Sequence, residues 1–145
     1  MALSDIITQL GTGQADFNDV ADGFQLIANS WTGWTPTLSA GGSMTYTSTT
    51  ITEARYFLVG KSLTMEVSIS GTTGGTANTD LKFTIPSGLT LTNSGQGMGR
   101  LNDSGGAAAE FLPSTSVVVV RNMANANWGL GASRSYRGTM TFEIT

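Results

Sequence analysis

The chain has 145 residues, a length that suits one domain with a core large enough to need no covalent staples. It has no cysteine and no histidine, which excludes disulfides, thiolate metal sites, thiol catalysis and the commonest general base and metal ligand. Only 12% of residues are charged and the net charge is −3, so the seven dispersed Lys and Arg offer no basic patch for nucleic acid, and solubility must come from Thr, Ser, Asn and Gly.

The start, Met1-Ala2-Leu3-Ser4-Asp5, lacks the basic and apolar stretches of a secretory signal, and no run is long enough to span a membrane. The expectation is a product made and held in the cytoplasm of its producing cell. Residues 1–30 read as a helical or extended arm. Ser4 can cap a short turn that carries Ile6, Ile7 and Leu10, and Gly11-Thr12-Gly13 then breaks the pattern. Beyond it, Phe17, Val20, Phe24 and Ile27 recur at helical spacing, with Asp16, Asp19 and Asp22 on the other face. So short a helix is marginal alone, which makes this apolar stripe a candidate assembly contact, on its own β domain or on a neighbouring subunit.

Residues 31–145 read as strands and turns. Candidate strands fall near Trp34–Ser39, Met44–Thr49, Ala54–Val59, Leu63–Ser70, Leu81–Ile85, Ala107–Leu112, Ser116–Arg121 and Tyr136–Ile144. The clearest is Leu63–Ser70, where Leu63, Met65, Val67 and Ile69 alternate with Thr64, Glu66, Ser68 and Ser70. The unbroken run Val117–Val120 predicts burial on both faces, between sheets or in a subunit interface. Gly41-Gly42, Gly71–Gly75, Asn93-Ser94-Gly95, Gly105-Gly106 and Gly129-Leu130-Gly131 read as turns or loops. Short strands at this spacing predict an all-β fold, a jelly-roll-like antiparallel β-sandwich preceded by the arm.

Several motifs invite a chemical reading and lose to a plainer one. Gly95-Gln96-Gly97-Met98-Gly99 is followed by Arg100-Leu101-Asn102, not by a helix with Lys-Ser/Thr, so it predicts a surface loop or edge strand rather than a phosphate loop. The acidic residues show neither a calcium-loop pattern nor a paired helper base, and no catalytic residue, cofactor or metal ligand is assigned. Asn102-Asp103-Ser104 matches a glycosylation acceptor by chance. Trp31 and Trp34 are expected to lock the entry into the β domain. Trp128, in a loop, is the candidate for external ligand contact.

One ordered series goes further. Trp34-Thr35-Pro36-Thr37-Leu38, Gly41-Gly42, Met44-Thr45-Tyr46, Ala54-Arg55-Tyr56 and Val59-Gly60, leading into the alternating strand, resembles the C-terminal β domains of phage tail-fibre and other virion surface proteins. The likeness spans about residues 31–90 and fades after them; Ile85-Pro86-Ser87-Gly88-Leu89 differs from the "GLP" turn of such domains. It implies a non-enzymatic homotrimer on the outer surface of a virion. A short chain with an arm and no shaft fits a capsid decoration, or cement, protein that binds across major capsid subunits. The alternative is a tail-fibre, tail-tip or receptor-binding protein, attached through the arm to a tail protein and facing a host surface glycan. Neither reading involves nucleic acid or a membrane.

Overall fold

The structure, a computed structural model, describes residues 31–92, 95, 97–102 and 108–145. The assembly candidates Ile6, Ile7, Leu10, Phe17, Val20, Phe24 and Ile27 lie outside the described residues. All the regular structure described is antiparallel β, as the composition predicts. The strands are β1 (Thr32–Gly33), β2 (Leu38–Ala40), β3 (Met44–Val59), β4 (Ser62–Gly75), β5 (Leu81–Thr84), β6 (Gly97–Asn102), β7 (Ala108–Ser114), β8 (Val117–Asn122) and β9 (Gly131–Glu143). They form one sheet in the order β1-β3-β4-β9-β6-β7-β8-β5-β2.

The sheet curls until its two halves face each other. Phe83 of β5 stacks on Tyr136 of β9, with ring centroids 6.1 Å apart, although β6, β7 and β8 separate these strands in the sheet order. The layers of the expected sandwich are therefore halves of one continuous sheet. Each strand contributes alternate residues to the space between them: Leu63, Met65, Val67 and Ile69 from β4, Phe111 from β7, Val118 and Val120 from β8, Tyr136, Met140 and Phe142 from β9. Every second residue faces inward because side chains alternate across a strand.

One short stretch, Thr32–Ala40, closes the curl. Its first residues pair with β3 and its last with β5, so it joins the two ends of the sheet order. Trp34 touches both ends by itself. Its backbone N–H donates to the Ala54 carbonyl at 3.1 Å, and its indole Nε1 donates to the Thr84 carbonyl at 3.1 Å. Its ring packs edge-on to Tyr56, 5.9 Å between centroids. Gly42, at φ 57°, then turns the chain into β3, a left-handed geometry that glycine adopts without strain.

Four expectations need correction. Gly97-Met98-Gly99 is neither loop nor edge: Gly97–Asn102 is an interior strand, paired with β9 on one side and β7 on the other. Its glycines are what admit it. A Cβ on Gly99 would strike the Arg137 carbonyl and lie 2.5 Å from the Phe111 ring, and one on Gly138 would lie 2.7 Å from the same ring. Phe111 thus fills the space that two side chains would need. Likewise Gly71–Gly75 continues β4, with Gly71 under the ring of Tyr46. Finally, Val117–Val120 alternates like any half-buried strand: Val118 and Val120 are fully buried, while Val117 and Val119 are only partly covered. The separate candidates Met44–Thr49 and Ala54–Val59 are one long strand, interrupted by register shifts between Thr47 and Thr50 and between Ile51 and Glu53.

Candidate binding groove

On the outward face, Ser68 and Ser70 of β4, Ser135 and Arg137 of β9 and Arg100 and Asn102 of β6 form a row of short polar and cationic side chains, with Glu66 and Met98 beyond one end of it. Alternation forces this arrangement, since Val67, Ile69, Tyr136 and Leu101 occupy the inward positions. Register then sets the neighbours. Ser68 sits opposite Arg137, and Arg137 opposite Arg100. Ser70 sits opposite Ser135, and Ser135 opposite Asn102. Thr52 is the extra residue at the β3 register shift, between Ile51, which faces Ile69, and Glu53, which faces Ser68. A bulge of this kind bends its strand and raises it beside the sheet. The result is an open depression of about 370 Å³ lined by Thr52, Ser68, Ser70, Arg100, Asn102 and Arg137 together with Ser135.

Arg100 and Arg137 are both exposed and directly opposed across neighbouring strands. Like charges in this position are mutually destabilising by about 0.2–1 kcal/mol. Neither arginine forms an ion pair with a described residue. The other arginines are engaged. Arg55 reaches Glu66 at 2.6 Å and Glu53 at 3.3 Å, and the hydrogen bond to Glu66 holds its proton more firmly than usual. Arg121 grips Asp80 at 2.7 Å, and that bond lowers the Asp80 carboxyl below its ordinary value of 3.8. Arg134 donates to the carbonyls of Gly129 and Leu130. Glu53 and Glu66 both reach Arg55 and share the adjoining depression with Arg100 and Arg137, so three arginines stand against two carboxylates and the face keeps a net positive charge. Chemically, it can accept an anion between two guanidinium forks and hydrogen-bond to hydroxyls around it.

Trp128, the expected external contact, is instead 1% exposed. Its loop is superficial, but its backbone N–H donates to the Asn78 carbonyl at 2.9 Å, and the indole turns inward against Tyr136, 6.3 Å between centroids. A large apolar ring beside an aromatic core gains more from burial than from exposure, whatever the polarity of the asparagines around it. Tyr46 is buried with its hydroxyl donating to the Arg134 carbonyl at 3.0 Å, and burial raises its pKa. Trp34 and Tyr56 are only partly exposed and serve the closure.

The arginines were not singled out as site residues in the sequence. Arg137 is visible as an outward position of the candidate strand Tyr136–Ile144, and Arg100 follows the glycine run. Their juxtaposition depends on β6 pairing with β9, a long-range choice that no local pattern encodes. Among the described residues, no group of three or more Asp, Glu or His side chains could hold a metal ion. Comparison of the chain with protein-family models, curated proteins and solved structures finds no match in any of the three.

Proposed function

We propose that this chain is a structural protein of a phage-type virion, acting as a homotrimer that decorates the capsid and stabilises it by binding across major capsid subunits. One observation carries this reading. The ordered series that resembles virion surface domains coincides with the closure of the sheet: Trp34 ties both ends, Gly42 makes the turn, Tyr46 bonds to Arg134, and Arg55 pairs with Glu66. Each of these landmarks closes or braces the curled sheet, which supports reading the resemblance as one of fold. In such a protein the work is done by area and avidity. Three equivalent contacts, each weak alone, combine through effective concentration, and the arm stripe Phe17, Val20, Phe24 and Ile27 supplies the apolar anchor.

The test is to label the protein on particles from producing cells and image them. Label over the head faces supports decoration, and particles without label overturn the virion reading. Light scattering of the purified protein is expected to give three times the chain mass, and a monomer at micromolar concentration would remove the avidity mechanism. Deleting residues 1–30 is expected to leave a folded β domain that no longer attaches to the particle.

A second reading, a tail-fibre or receptor-binding protein, is favoured by one specific feature, the groove with Arg100 and Arg137. Cations aimed at open solvent suit a surface that meets a host glycan. In this case label at the tail tip is the expected image.

A further inference from the structure

We propose that the groove over β4, β9 and β6 recognises a carboxylate-bearing polysaccharide, with Arg100 and Arg137 as its anion-binding pair. The inference needs only the groove and holds for either position on a particle.

Four observations converge. The two arginines are in register on adjacent strands, so their backbones stand about 5 Å apart and two guanidinium groups can close on one carboxylate. They form no ion pair with a described residue, while Glu53 and Glu66 on the same face are held by Arg55. With three arginines against two carboxylates, this face keeps a positive charge for an external anion to meet. The remaining lining is Thr52, Ser68, Ser70, Asn102 and Ser135, short side chains whose hydroxyls and amide both donate and accept. That is the complement of a sugar, which presents hydroxyls on every side of its acid group.

Other polyanions fit less well. Nucleic acid binding draws its strength from many phosphate contacts and from bases stacked on aromatic rings. Here there are two cations, and the one aromatic residue at the groove, Tyr136, turns its ring into the core. The chain as a whole is negative, so long-range attraction to a polyanion is absent and recognition must be local.

The experiment is calorimetric titration of the purified full-length protein with oligogalacturonate, beside neutral dextran, dextran sulfate and a single-stranded DNA of matched charge. Saturable binding of oligogalacturonate, at least tenfold tighter than of dextran sulfate or the DNA, is expected, with no heat from dextran. R100Q and R137Q should each weaken it at least tenfold. K61Q, which removes a cation at the β3–β4 turn, should leave it unchanged. S68D places a carboxylate opposite Arg137 and is expected to abolish binding while the protein stays folded by circular dichroism. No binding at millimolar oligogalacturonate would overturn the proposal. So would equal affinity for dextran sulfate or DNA, or a loss as large in K61Q as in R137Q. Particle labelling is a separate measurement, so failure here leaves the virion reading standing, and the reverse is also true.

Discussion

The curled sheet is held together in two places by opposite means. At the closure, Thr32–Gly42, side chains make the join: the Trp34 indole reaches the Thr84 carbonyl, Thr37 and Thr84 exchange bonds in both directions, and Arg121 holds Asp80 beside the turn. In the middle of the sheet, where β9, β6 and β7 meet, missing side chains make the join. Gly99 and Gly138 face each other across the strands, and the Phe111 ring occupies the volume they leave. The contrast teaches where the fold is brittle. Hydrogen bonds at a half-exposed closure can be replaced by water at modest net cost. Excluded volume in a packed interior cannot be replaced by anything.

The largest expected effect is therefore at the ring that fills the notch. Phe111→Ala removes a fully buried side chain and opens a cavity over two glycines that cannot fill it, so a loss of about 3–5 kcal/mol is expected in urea denaturation. A loss under about 1 kcal/mol would mean that β6 collapses into the gap, and that the notch is not rigid. Gly99→Ala attacks the same place from the other side. A single methyl meets the Arg137 carbonyl and the Phe111 ring, and about 1–3 kcal/mol is expected, with the double variant less damaging than the sum of the two. Strict additivity would sink the idea that ring and glycine compete for one volume.

Sequence patterns revealed these two regions unequally. The inward face of β4 was legible residue by residue, because Leu63, Met65, Val67 and Ile69 alternate without interruption and need no distant partner to be recognised. The closure was legible as a run of landmarks, Trp34 to Gly60, though not as a closure, since Trp34 binds β3 and β5 far along the chain. The notch was read backwards. Gly97 and Gly99 look like a loop, because glycine normally weakens a strand, and only the Phe111 ring, brought in by β7, turns that weakness into a fit. Trp128 failed for a related reason: its polar neighbours describe the loop, whereas the tryptophan answers to the aromatic cluster beneath it. The groove inherits the same limit, since Arg100 meets Arg137 only through the β6–β9 pairing.

At the closure the effects should be smaller. Trp34→Phe keeps a ring against Tyr56 and loses the bond to the Thr84 carbonyl, so about 1 kcal/mol is expected, read as a small shift in urea midpoint with an unchanged slope. A loss as large as that of Phe111→Ala would erase the distinction between the two regions.

The smallest effect carries a sign. The Arg121 bond lowers the Asp80 carboxyl in the folded protein, so folding favours its ionised form. The stability this contributes is fully present above the ordinary value of 3.8 and is lost as pH falls below it, through the depressed folded value. The Asp80 side chain is 16% exposed and the Arg121 side chain 36%, so solvent screens the pair and less than about 1 kcal/mol is at stake. Asp80→Asn should accordingly melt below the parent protein at pH 7, and the gap between them should close as the buffer is taken to pH 3 and lower. The other carboxylates titrate in both proteins and cancel in the difference. A gap that persists at low pH would mean that Asp80 serves the closure through its bond from the Thr79 hydroxyl more than through its charge.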